Sequence, residues 1–159
     1  MTLRRKAREL ALQLLYQWEA GGESPEKAEK AFWQGAKAAA QTREFAHRLF
    51  TGTVAAAPQL DALVERHATN WRLDRMSAID RNILRLAAFE LKFATAPARV
   101  VLDEAVELAK KFSDDAAPAF VNGVLDAVAS GEWRVVNGEK AGEKEEREKK
   151  EGEGEKKEE

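Results

Sequence analysis

The chain has no cysteine, two histidines, four prolines and one tyrosine in 159 residues. Without a thiol there is no disulfide, no cysteine-ligated zinc or iron–sulfur centre and no cysteine nucleophile, and nothing argues for an oxidising compartment. No apolar run approaches the roughly 18 residues that a membrane span needs. The start, Thr2 to Glu9, is basic, but no signal-peptide apolar segment follows it. Neither a glycine-rich phosphate loop ending in Gly-Lys-Ser/Thr nor a Gly-x-Ser-x-Gly elbow is present. His47 and His67 share no helical face by spacing, so they give no metal pair; each reads as a surface or satisfied residue. The expectation is a soluble, cytoplasmic, one-domain protein with no metal and no cofactor.

Charge is what the sequence has in quantity, and it is unevenly placed. Residues 138–159 carry ten acids and seven bases, and Ala141 is their only hydrophobic residue. Gly138, Gly142, Gly152 and Gly154 weaken any helix there. Such a segment has no apolar surface whose burial offsets its ordering entropy, so it reads as a disordered charged tail. Its removal is expected to leave the melting temperature unaltered. Residues 1–137 form the domain and are nearly neutral, with 18 acids and 19 bases.

Within that domain apolar residues recur at helical spacing. Leu3, Ala7, Leu10, Ala11, Leu14 and Trp18 define a first helix, with Thr2 as N-cap and Gly21-Gly22 as its stop. Ser24-Pro25 opens a second. Thr42 opens a third, which ends or bends near Pro58. Leu60, Leu63, Val64 and His67 mark a fourth, and Trp71 to Met76 a short turn. Ser77 to Asp80 resembles a capping box ahead of Ile79, Ile83, Leu86 and Leu91. Pro97 separates that helix from the stripe Val101, Ala105, Leu108, Phe112, and a last helix follows through Phe120, Val124 and Val128. Asn122-Gly123 suits a hairpin, but its flanks repeat at three and four. Gly123 in a helix costs about 1 kcal/mol relative to Ala, which points to a close helix approach there. The fold class is all-α, a compact bundle of about seven helices.

Acid–base catalysis is the one enzymatic idea the residues leave open. Asp103, Glu104 and Glu107 share a helix, but Glu107 has Lys110 and Lys111 one turn on, the spacing of ordinary ion pairs. Asp114 and Asp115 precede a helix, where its dipole favours carboxylates. The expectation is no enzyme.

The first helix carries the unusual feature. At about 100° per residue its apolar stripe runs from about 280° to 20°, with Arg4, Arg8 and Arg5 beside it at about 40°, 80° and 140°. Tyr16 falls at about 160°, three turns further along from Arg5, and Lys6 lies across the helix at about 240°. Cations at a helix N-terminus oppose the macrodipole, and Arg4 and Arg8, one turn apart, repel. A polyanion turns that liability into binding: guanidinium forks fit phosphates, and a nearby ring stacks on an unpaired base.

These residues form a recognisable pattern. Arg4-Arg5-Lys6-Ala7-Arg8-Glu9-Leu10 through Tyr16-Gln17-Trp18 resembles the N-terminal signature of the NusB family. Asp80-Arg81-Asn82-Ile83-Leu84-Arg85 through Leu91 resembles its central helix. Val101 through Lys110-Lys111-Phe112, and Phe120-Val121-Asn122-Gly123-Val124-Leu125-Asp126, resemble its two C-terminal helices. The blocks lie in the family's order, while residues 20–75 match weakly in identity.

The resemblance implies two small helical subdomains with the first helix central. It implies a transcription antitermination factor that binds boxA RNA of nascent ribosomal-RNA transcripts, best together with NusE, a ribosomal small-subunit protein. That complex would join NusA, NusG and RNA polymerase and suppress premature, Rho-dependent termination. Carried over by position, Arg4, Arg5, Lys6, Arg8, Tyr16, Lys110, Phe112 and Phe120 are the RNA-binding residues, and Asp80 is a partner-binding residue that matches an acidic position at the NusE and RNA surfaces. Removing Arg4 and Arg8 together is then expected to weaken RNA binding without altering helicity. Phe112 and Phe120 also fall on core-like stripes. Ser113 to Ala119 departs from the family's usual acidic–Ser–His/Lys stretch, which implies that a polar helix cap and a basic contact are lost. Some ribosomal-RNA methyltransferases carry a similar N-terminal domain, but this length leaves no room for their catalytic domain. The competing expectation is a helical interaction module that acts as a homodimer without specific RNA binding.

Overall fold

The computed structural model describes residues 2–68, 73–94 and 96–132. Trp71 and the expected tail, with its boundary after residue 137, lie outside them. Seven α-helices occur among the described residues: α1 Leu3–Gly21, α2 Pro25–Gly35, α3 Ala40–Ala55, α4 Ala57–His67, α5 Ala78–Phe93, α6 Ala98–Phe112 and α7 Ala117–Glu132. A short 3-10 turn, Leu73–Arg75, precedes α5.

The punctuation follows local chemistry. Thr2 Oγ1 accepts from Arg5 N at 3.2 Å to start α1, and Gly22, at φ 67°, closes it in the left-handed region that glycine tolerates. Ser24 caps α2 with Pro25 behind it. Pro58 sits in the first turn of α4, where no N–H is needed. Ser77 Oγ accepts from Asp80 N at 3.1 Å, but the box does not close. Asp80 instead accepts from Ser113 Oγ at 2.6 Å, which ties the start of α5 to the end of α6.

Three expectations change. Helix α3 begins at Ala40, so Thr42 is not its cap but a buried residue of its first turn. The cap before α7 is not lost, because Asp114 Oδ1 accepts from Ala116 N and Ala117 N at 3.1 and 3.0 Å. Gly123 has open space where its Cβ would be, so the close approach lies elsewhere. It lies at Gly52 on α3, where a Cβ would collide with the Phe89 ring of α5.

Two apolar clusters form the core. The smaller holds Ala7, Leu10 and Ala46, with Phe32, Trp33 and Phe45 packed on it, and joins α1, α2 and α3. The larger runs from Ala11, Leu12, Leu14 and Leu15 through α3 to α7, including Phe50, Ile83, Leu84, Leu86, Val121 and Leu125. Helix α1 supplies both, which is why its two ends meet different partners. Helix α5 packs against α1, α3, α4, α6 and α7.

Candidate functional site

The circumference of α1 decides which of its cations face outward. Leu12 and Leu15 are buried along with Leu10, Ala11 and Leu14. They lie at about 120° and 60°, so the buried arc includes the direction of Arg8 at about 80°. Arg8 is accordingly only 4% exposed. Its Nε and Nη2 donate to the two carboxylate oxygens of Glu90, itself 2% exposed, at 2.8 and 2.9 Å. Burial works to lower the Arg8 pKa, but the Glu90 hydrogen bond and charge outweigh it and hold it above the ordinary value. The expectation of Arg8 as a surface phosphate contact therefore fails: its fork is spent inside the protein. A substitution there removes a buried ion pair, so the Arg4 and Arg8 double variant is not the neutral probe it appeared from sequence.

The other three basic residues of this segment stay outside. Arg5 is exposed and grips Glu104 of α6 through Nε at 3.1 Å and Nη2 at 3.0 Å. That hydrogen bond, then the charge of Glu104, raises its pKa. Arg4 has no carboxylate partner among the described residues; its guanidinium lies 5.7 Å from the Phe45 ring centre on α3. Lys6 is half-buried and Tyr16 is 44% exposed.

Ion pairs between α1 and α6 join the basic end of α1 to Glu104 and Lys111. One turn beyond Arg5, buried Glu9 accepts from Lys111 Nζ at 2.9 and 3.0 Å. The groove between them, about 210 Å³, is lined by Arg5, Glu9, Glu104, Glu107, Leu108 and Lys111. Tyr16 shares the strip of α1 that holds Arg5 and Glu9, about 16 Å along from Arg5. Lys110 is exposed and pairs with Glu107 at 3.4 Å; Lys111 reaches Glu9 instead of Glu107 and lies 5.5 Å from the Phe112 ring centre. Phe112 and Phe120 are half-buried and pack on the larger core. Phe120 and Asp80 line one cleft of about 270 Å³ with Arg75, Met76, Ser77 and Asp114. Sequence positions a hundred residues apart thus meet in the groove of Arg5, Glu9, Glu104 and Lys111, while Phe120 lines its own cleft with Asp80.

A second network, absent from the sequence reading, anchors the far half of α1. Glu19 accepts from Arg81, Arg85 and Asn82 of α5, and Arg85 also holds Asp61 of α4 at 2.6 and 2.9 Å. Arg81 Nη1 donates to the carbonyls of Leu73 and Met76, each at 3.0 Å. The histidines divide. His47 is exposed, with Nδ1 2.8 Å from Glu29. His67 is half-buried beside Gly131, and its buried Nε2 has no hydrogen-bond partner; the expectation of a satisfied residue does not hold for it. Among the described residues no cluster of His, Asp and Glu could hold a metal ion, and no helix is long and apolar enough to cross a membrane.

Fold and surface define an all-helical protein with a basic helix end placed beside exposed or half-buried rings. Residues 5–130 match the model of the NusB family, and the chain belongs to that family. It is 46% identical over 133 residues to the transcription antitermination protein NusB of Anaeromyxobacter dehalogenans, covering 82% of this chain and 94% of that protein. Thermotoga maritima NusB superposes with a TM-score of 0.74 at 33% identity, over 81% of this chain and 92% of the other. A structure of antitermination factors NusB and NusE in complex with double-stranded RNA superposes with a TM-score of 0.72 at 34% identity, over 82% and 98%.

Proposed function

We propose that this chain is a non-enzymatic, cytoplasmic transcription antitermination factor. It holds boxA-type single-stranded RNA of a nascent ribosomal-RNA transcript together with NusE, and helps RNA polymerase, with NusA and NusG, read through Rho-dependent termination. The observation that carries this is the α1 end: Arg4 and Lys6 have no acidic partner among the described residues, at a helix terminus whose dipole already repels cations. The related complex of NusB, NusE and RNA supports the same partners. Arg4, Arg5 and Lys6 contact phosphates. Tyr16, Phe112 and Phe120 offer flat surfaces to bases, and Lys110 adds a cation beside them. Arg8 acts through Glu90, by fixing the end of α1, and touches no RNA. Asp80, at the rim of the cleft that Phe120 lines, faces the NusE side.

The test is fluorescence anisotropy of a boxA-type RNA against a scrambled one, with and without purified NusE. Selective binding that tightens with NusE is expected, and Arg4→Ala should weaken it while the fold stays intact. Each lost phosphate contact should flatten the plot of log affinity against log salt by about 0.7. Equal binding to both RNAs, indifferent to NusE, would leave only charge attraction. A homodimeric interaction module is the second reading, favoured by the exposed Phe93 and Val100 where α5 meets α6; sedimentation of the free protein separates it.

A further inference from the structure

Arg5, Arg8, Arg81 and Arg85 all meet carboxylates. Arg4, Arg43 and Arg48 meet none among the described residues, and each lies against a ring instead. Arg4 and Arg48 approach the same Phe45 at 5.7 and 5.8 Å from its centre, and Arg43 lies 4.9 Å over Trp33. An exposed cation–ring contact is weak, and two guanidiniums on one phenyl ring repel each other. The rings themselves are held firmly, because Phe45 and Trp33 pack on Ala7, Leu10 and Ala46 beneath them. The result is a set of open cations on fixed aromatics. It is continuous with the basic end of α1, because Arg4 belongs to both.

We propose that this ridge extends the RNA surface: single-stranded RNA leaving the end of α1 crosses α3. Its phosphates pass Arg48 and Arg43, and its bases lie against the half-buried rings of Phe45 and Trp33. The inference rests on the RNA function proposed above and adds residues outside the family signature. A polyanion with flat bases is the ligand whose chemistry uses both halves of the ridge, guanidinium forks for phosphate and rings for stacking. Trp33 and Arg43 also line the groove between α2 and α3, which holds Glu26, Glu29 and Glu44 beside Lys30 and His47. Glu29 is taken up by His47 at 2.8 Å and by Trp33 Nε1 at 3.1 Å.

The test compares a short boxA-type RNA with the same RNA lengthened by several nucleotides at either end, across a salt series. The lengthened RNA is expected to bind more tightly in one of the two directions, with a steeper salt dependence. Arg43→Gln with Arg48→Gln, both at exposed positions, should erase that gain and lower the slope by about 1.4 for two phosphates, while short-RNA affinity stays unchanged. Phe45→Leu keeps an apolar side chain in the packing; it should reduce the gain without changing the slope. Binding of the short RNA with no gain on lengthening in either direction overturns the extension alone. A gain that survives the double arginine substitution overturns it too. Failure to bind either RNA overturns the proposed function, and the extension with it.

Discussion

Arg4 and Arg8 sit one turn apart on α1 and act differently, and the difference is burial. Arg4 is exposed and lies over the Phe45 ring; Arg8 is buried and donates to Glu90. Removing one member of a buried pair leaves a charge in a site that excludes water, which costs about 3–5 kcal/mol. Arg8→Ala should therefore lower unfolding stability by about that much in urea titration, whereas replacing Arg8 and Glu90 together by apolar residues of similar volume should restore most of it. If Arg8→Ala alone leaves the urea midpoint unmoved, the buried pair is not what holds the end of α1. The sequence displayed the basic cluster but hid this split. Its signal was present in Leu12 and Leu15, whose directions flank Arg8, but the acid that completes the pair lies 82 positions away.

Gly52 and Gly123 show the same contrast between helices. Both lie inside helical stretches, and by propensity alone each should gain from alanine. At Gly123 the space is open, so Gly123→Ala should stabilise by about 0.4–1 kcal/mol. At Gly52 the Phe89 ring occupies the space of a Cβ, so Gly52→Ala should destabilise by about 1–3 kcal/mol through overpacking. Thermal unfolding of the two variants, measured side by side, should give shifts of opposite sign; equal signs would refute the close approach of α3 and α5. Helix ends were far more legible than helix contacts. Thr2, Gly22, Ser24 and Ser77 act within a turn of their own positions, so composition predicts them. Thr42 escaped because a buried threonine in a first turn looks, in sequence, like a cap.

Across the molecule, the Glu19 network joins α1, α4 and α5. Burial works to raise the Glu19 pKa, but Arg81's hydrogen bond and the charges of Arg85 and Arg81 outweigh it and hold the carboxyl below its ordinary value of 4.5. A carboxylate with a depressed folded pKa adds stability that is full above its unfolded pKa and is lost as pH falls through the folded one. Unfolding stability should thus decline in acid below about 4.5, and Glu19→Gln should be less stable at neutral pH with a shallower decline. Urea titrations over a pH series check this, and parallel curves for the two proteins would remove Glu19 from the account. Sequence order also conceals the candidate surface: Arg5 and Lys111 become neighbours only through the Arg5–Glu104 and Glu9–Lys111 pairs.

The all-helical class, the helix ends and the blocks that mark the NusB family were readable from the chain, because each depends on spacing or chemistry within a few residues. Tertiary packing decided which cations stay open to a ligand. Every arginine has the same charge in sequence, but a guanidinium buried against a carboxylate from another helix is closed to an outside anion, while an exposed one is not. That choice withdrew Arg8, tied Arg5 to Glu104 and left Arg4, Arg43 and Arg48 against their rings.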